Sequence, residues 1–538
     1  MPDSNTDAYA FAASLGQRGL SRRQMLVASG GVGLGALLFA GCSSGKSPQG
    51  DNSGVGGAPR KGGTIRVAIS DGQASDSLDP GLIISQNSAI VCNALYDSLT
   101  RVDDNFTPKP ALAESWESTP DAMQWTFRLR KDVKWHDGSD FTSSDVVATL
   151  KRWVDPNSGN EMYGGMSPYI DPNGVQAPDA HTVVVKLKSP NSILPALVGS
   201  NWNAKVTKAG TDSFTDKTAI GTGPFKLASW AVGTSWSATR NDEYWDGPPY
   251  LDGIEVKITP DQSAKLQGVL AGDSDVTDDV PISFWATIEG RGNASIQTFE
   301  NKSAWVFAFD QRQPPFDNQK VLDALKLATD RETILKIALQ GHGVVTDDFG
   351  TTPGSVFYPA GHPSEFNSAK AKSLLADAGY PDGLDIELAT SNVTAGMLDV
   401  AQAWQQVVKP AGINVTLNQI APGSYWEKGW MATPAFQDYW NRFHPAQLLQ
   451  LFYMSSGPWW DTRYEDPRLA GAVAEIMKET DPAAQAQKIQ DALVMVRDTY
   501  SFVVPFYTDG GWAQSNKVKG VVWDFVNQMD FRKAWIEG

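Results

Sequence analysis

The sequence predicts a mixed α/β protein built as several domains or one large lobed body. Three observations carry that expectation. Strand-like and helix-like patterns alternate along the chain instead of clustering. The 538 residues exceed the roughly 100–200 of a single domain. A composition 41% hydrophobic and 20% charged is that of a chain able to bury a sizeable core.

The strands come first. Thr64-Ile65-Arg66-Val67-Ala68-Ile69 alternates apolar and other residues, as a strand with one core face does, and residues 125–130, 181–188, 254–258 and 413–417 do the same. Helical stretches lie between them. Asp317 or Asn318 can cap a helix whose apolar residues Val321, Leu322, Leu325, Ile334, Leu335 and Ala338 recur at helical spacing, with Gly341 as its stop. Residues 368–378 form another, closed by Gly379 and Pro381, and Asp481-Pro482 starts a third along Ile489, Leu493 and Val496. Trp135-His136-Asp137-Gly138 reads as a hairpin turn, because no nucleophile or third group accompanies a catalytic His-Asp reading. Asp273-Ser274-Asp275-Val276-Thr277-Asp278 lacks the central Gly and terminal Glu of a calcium loop and reads as an acidic loop after the helix holding Leu266 and Leu270.

Charge and composition remove classes. With 61 acidic against 45 basic side chains and a formal net charge of −16, no nucleic-acid partner is expected. Two cysteines cannot make a disulfide framework and five histidines leave little for a metal centre, so neither metal nor cofactor is expected. Cys92 reads as a buried small hydrophobe.

The N-terminus reads as an export signal over residues 1–41. Arg22-Arg23 precede seventeen uncharged residues, Met25 to Gly41, too short and too rich in glycine for a spanning helix. The arginine pair resembles the twin-arginine motif, although Met25 and Val27 depart from it. Leu38-Phe39-Ala40-Gly41-Cys42 resembles a bacterial lipoprotein box, which implies lipidation at Cys42 and a place on the outer face of the cytoplasmic membrane. An uncleaved anchor helix would leave the body on the same face. Residues 42–60 then form a Gly-, Ser- and Pro-rich tether.

A series of blocks resembles the bacterial extracellular solute-binding proteins of family 5, the dipeptide-, oligopeptide- and nickel-binding components of ATP-binding-cassette (ABC) importers. They run in order: Gly62–Ala68, Ser77-Leu78-Asp79-Pro80, Leu95–Leu99, Leu112–Glu117, Thr126–Gly138 with Phe141–Val146, Gly221–Phe225, Arg240–Trp245, Pro315–Arg331 and Ala371–Pro381. The resemblance implies a two-lobed periplasmic-binding-protein type II fold with an extra subdomain in the first lobe. It implies a first lobe at 61–303 with an inserted subdomain near 102–216, a second at 304–509 and a return at 510–538. It further implies a monomer that binds a solute between lobes, changes nothing chemically, and works with ABC permease and ATPase subunits.

The resemblance also implies where solute would be held. Trp426 matches an aromatic that walls the ligand site in relatives. The segment Tyr439-Trp440-Asn441-Arg442-Phe443-His444-Pro445 falls where peptide binders anchor an α-ammonium on aspartate. Counting back from Pro445 puts Asn441 at that position, and Asp438 takes it if the gap is placed elsewhere. Arg442 suits a carboxylate or a structural ion pair, and His444 a structural role or a ligand contact. Tyr163, Trp305, Tyr507 and Gln86 complete the candidates. Six tryptophans between Trp404 and Trp460 serve as core or as stacking surface. A small peptide stands first as solute, a non-peptide aromatic or sugar-like molecule second, and nickel third. A secreted hydrolase and a surface sensor or adhesin are the alternatives of a different class; no catalytic motif supports the former.

Overall fold

The computed structural model describes residues 58–523 and 529–538. The export signal, Cys42 and nearly all of the tether lie outside the described residues. The chain folds around one twelve-stranded mixed sheet. From one edge its main path runs Ile413–Gln419, Leu384–Thr390, Ala435–Asn441, Ala294–Phe309, Phe506–Ser515, Val276–Asp279, Thr64–Ile69, Gly253–Ile258, Ser235–Arg240 and Phe225–Ala231. Two antiparallel strands, Ala294–Phe309 and Phe506–Ser515, occupy the middle and join two wings of the sheet. The parallel pairs in each wing, Thr64–Ile69 with Gly253–Ile258 and Leu384–Thr390 with Ile413–Gln419, require the helical crossovers that the alternating pattern announced.

The crossing is irregular. Register between its two strands shifts between Phe299 and Ser303, and Asn301 there takes φ 58°, a left-handed conformation asparagine tolerates. Beside it the strands approach closely at Gly510, where a Cβ would sit 2.2 Å from the Phe299 ring. Only glycine permits that approach.

A separate four-stranded antiparallel sheet, in the order Ala113–Ser118, Gln124–Leu129, Thr182–Leu187, Ile170–Asp179, forms the centre of an insert. Arg152 Nη1 donates to Asp79 Oδ1 at 2.8 Å, tying the insert to the N-terminal wing. On the other side Tyr169 Oη bonds Gln450 Oε1 at 2.7 Å and Gln485 Nε2 bonds Ser192 Oγ at 2.6 Å. The apolar core of the insert continues into that of the C-terminal wing.

Two elements differ from the sequence expectation. The helix expected from Asn318 to Gly341 is two, Gln319–Ala328 and Arg331–Leu339. Thr329 folds its hydroxyl back to Leu325 O (2.8 Å) and Asp330 caps the second helix through Thr333 N, so these side chains compete with the helical backbone between them. The expected acidic loop ends as the strand Val276–Asp279, which carries Asp278 and Asp279 into the sheet. The Trp135–Gly138 turn has Gly138 at φ 86°, and its His and Asp part company. His136 is held by backbone, accepting at Nδ1 from Gly221 N (3.2 Å), whereas Asp137 pairs with Lys208. Burial pushes the His136 pKa down to about 4, so it stays neutral at pH 7.

Candidate binding site at the strand crossing

A cavity of about 440 Å³ opens where the two crossing strands meet the wings. That is a volume typical of small-molecule sites, which run from roughly 300 to 1,000 Å³. The N-terminal wing supplies Asp71, Gln86, Asp278 and Asp279. The crossing strands supply Lys302, Ser303, Trp305, Thr508 and Asp509, and the C-terminal wing Gly396, Asp399, Trp426, Tyr439 and Asn441. Asp71 follows Thr64–Ile69 and Asp278-Asp279 end Val276–Asp279, so the cavity sits at the carboxyl ends of parallel strands, where open α/β sheets present loops to ligands.

One wall is aromatic. Trp305 and Trp426 each stand edge-on to Tyr439 at 6.0 Å between ring centroids. Strand alternation explains the selection. In Ala435–Asn441, Tyr439 pairs with Trp305 and Asn441 with Ser303, so both face the cavity, whereas Asp438 and Trp440 point to the opposite side. Two atoms in this wall have no hydrogen-bond partner: Trp305 Nε1, a donor, and Asn441 Oδ1, an acceptor. Both residues are only 2% exposed. Buried polar atoms left this way cost about 1–3 kcal/mol each until something pairs with them.

The floor is acidic. Asp278 is bonded by the buried Lys265 and by Ser70 Oγ at 2.8 Å, and Asp279 pairs with Lys302. Asp71 accepts from Gln86 N (2.8 Å) and Gln73 Nε2 (3.2 Å), and Asp509 accepts from Asn301 N (3.2 Å) at the irregular crossing. Burial raises both carboxyls, Asp509 to about 6. Lys302 is the sole lysine or arginine among the lining residues.

Of the ten candidate residues, Gln86, Trp305, Trp426, Tyr439 and Asn441 line this cavity. The others lie elsewhere. Trp440 is fully buried against Phe452, Tyr453 and Phe502, with Nε1 donating to Asp461 at 3.0 Å. Arg442 and Tyr507 share a small recess of about 20 Å³ beneath the insert. There Arg442 Nη2 donates to Asp104 O at 3.0 Å and Tyr507 Oη to Gly350 O at 3.1 Å. His444 caps the short helix Pro445–Leu448 by accepting from Ala446 N, lies between the Phe106 and Phe357 rings, and is pushed by burial to a pKa of about 3. Tyr163 begins the short helix Tyr163–Met166 in the insert, away from the cavity lining.

Sequence reasoning missed Asp71, Asp279, Lys302, Asp399 and Asp509, all in the cavity wall. A usable signal existed for the first, which follows the legible strand Thr64–Ile69. Among the described residues no group of three or more His, Cys, Asp or Glu side chains is arranged to hold a metal ion. No helix among them is long and apolar enough to cross a membrane.

Comparison with known proteins agrees with this architecture. Residues 107–462 match the family described as bacterial extracellular solute-binding proteins, family 5. The oligopeptide-binding protein AppA of Bacillus subtilis (strain 168) is 28% identical over 77% of this chain and 81% of its own. The glutathione-binding protein GsiB of Escherichia coli (strain K12) is 27% identical over 66% of this chain and 70% of its own. Among solved structures, the ABC transporter substrate-binding protein CtaP of Listeria monocytogenes superposes with a TM-score of 0.79 at 20% identity, covering 89% of this chain and all of that one. The fold is the type II fold of periplasmic binding proteins. An aromatic and acidic cavity at the joint of two wings is what such proteins need, and this chain belongs to family 5 of the bacterial extracellular solute-binding proteins, which carry a solute without transforming it.

Proposed function

We propose that this protein captures a small, peptide-like solute between its two lobes and delivers it to the permease and ATPase subunits of an ABC importer. One observation supports this most: a single cavity at the strand crossing takes its walls from both wings and holds unpaired polar atoms. A solute there touches both wings only when they are together. It therefore shifts an open–closed equilibrium by its differential affinity, and the closed form becomes the signal read by the permease. The lobes would follow the boundaries the sequence suggests, with the return strand completing the first. AppA and GsiB, by name an oligopeptide and a glutathione binder, favour a peptide-like solute.

Cys42, outside the described residues, would carry the lipid that keeps the monomeric body at the outer face of the membrane. Cys42→Ala should move the protein from the membrane to the soluble fraction, and persistent membrane attachment would refute lipid anchoring. Uptake of the solute released from the purified protein should vanish on deletion of the gene and return with the wild-type copy. Unimpaired uptake in the deletion strain would sink the carrier reading.

A further inference from the structure

We propose that the solute is an organic cation, bearing an ammonium or guanidinium group together with a neutral carbonyl or hydroxyl acceptor. The inference rests on the carrier reading above and narrows its substrate class.

Charge in the cavity wall is one-sided. Five aspartates line it, Asp71, Asp278, Asp279, Asp399 and Asp509, against Lys302. Two are neutralised from within the protein, Asp278 by Lys265 and Asp279 by Lys302. Among the described residues no lysine or arginine lies within ion-pairing distance of Asp71, Asp399 or Asp509. An anionic solute entering a partly dehydrated space of this size would meet three uncompensated like charges, and its repulsion grows as water is excluded. A cation meets the reverse.

Two independent features point the same way. The Asn441 side-chain oxygen, nine-tenths buried and unpaired in the same wall, asks for a donor, and an ammonium or guanidinium is a donor only. Trp305, Trp426 and Tyr439 stand in the same wall, and an aromatic ring attracts a desolvated cation through its face. The unpaired Trp305 Nε1–H adds the requirement for a neutral acceptor on the same molecule. The carboxylates are spread around the wall instead of converging, which suits an extended organic cation better than a bare metal ion.

Calorimetric titration with four probes tests this: lysylalanine amide, glucosamine, alanylglutamate and reduced glutathione. The expected result is at least tenfold tighter binding of one or both cations than of either anion. The amide and glucosamine arms separate a peptide from a sugar-like source of the same charge. Asp509→Asn and Asp71→Asn should each weaken the preferred cation about tenfold while leaving the melting temperature near wild type. Asp399→Asn, on the exposed first turn of its helix, provides a variant with little folding risk and should act in the same direction. Equal or tighter binding of the anions, or a cation preference unmoved by all three variants, overturns the inference. Native mass spectrometry separates that failure from the larger one. An intact anionic guest sinks the cation assignment and leaves the carrier reading standing, whereas no guest and no binding of any probe sinks both.

Discussion

The cavity at the strand crossing and the recess beneath the insert draw on one aromatic-rich stretch, yet they differ in kind. Tyr439 and Asn441 enter the cavity, where Asn441 Oδ1 and Trp305 Nε1 are buried without partners and carboxylates outnumber cations. Just beyond, Arg442 enters the recess, where Asp104 O already meets it, and His444 is met by Ala446 N with aromatic rings closing over it. The recess holds about 20 Å³ against about 440 Å³ in the cavity. Where the protein satisfies its own polar groups it is building structure. In the cavity wall, Asn441 Oδ1 and Trp305 Nε1 are left for a guest to complete.

Substitutions on either side of that divide should separate stability from binding. The largest effect belongs to Trp440, on the core side of the same strand. Trp440→Ala should cost about 3–5 kcal/mol in denaturant titration, because it opens a cavity among Phe452, Tyr453 and Phe502 and removes an indole donor from the Asp461 carboxylate, which keeps Trp430 Nε1. A loss below 1 kcal/mol would mean that Trp440 does not belong to the core. Next comes Trp426→Ala, expected to weaken solute binding at least tenfold while shifting the melting temperature little, since its ring borders empty space. If stability falls as far as in Trp440→Ala, the aromatic wall is core and the comparison fails.

Acidity sharpens the contrast further. Asp509 titrates near 6 in the folded protein, and a cation binds its ionised form. Lowering pH through 6 protonates it, so the dissociation constant of a cationic solute should rise as pH falls through 6, by about tenfold in all as expected for Asp509→Asn, and level off above it. The groups around Asp509 are Glu300 on the crossing strand, whose charge raises it further, Asn301 N, which donates to its carboxylate, and the His342 backbone, whose oxygen accepts from Asp509 N. Asp509→Asn should flatten that dependence; an unchanged profile would remove Asp509 from the site. The smallest effect is expected from Arg442→Met. Its partner Asp104 is 72% exposed, so water replaces the arginine, and stability should fall by about 1 kcal/mol with affinity unchanged within about twofold. A tenfold loss of affinity would move Arg442 into the site.

Much of the fold was legible because it follows short-range rules. The period-two strands, the Asp481 cap and the Trp135–Gly138 turn depend on neighbours in sequence, and the structure has them. The long helix failed at Thr329-Asp330, where capping side chains outcompeted a continuous apolar stripe. In the candidate site, resemblance located the right strand but not its faces. Adjacent residues of Ala435–Asn441 point to opposite sides, so Trp440 could not accompany Tyr439 and Asn441, and beyond Asn441 the chain has left the sheet. Asp399 and Asp509 were illegible for another reason. They come from a helix start and a return strand far apart in sequence, and their common cavity exists only once the crossing strands have paired.

Filling the cavity tests its role most directly. Thr394 lies in its wall on a loop, and Thr394→Trp would occupy the space without touching the recess. Native mass spectrometry of the wild-type protein and this variant, both purified from cells, should find one intact small molecule on the former and none on the latter. The same molecule on both would place the binding site elsewhere, and a cleaved molecule on the wild type would contradict a carrier that leaves its solute unchanged.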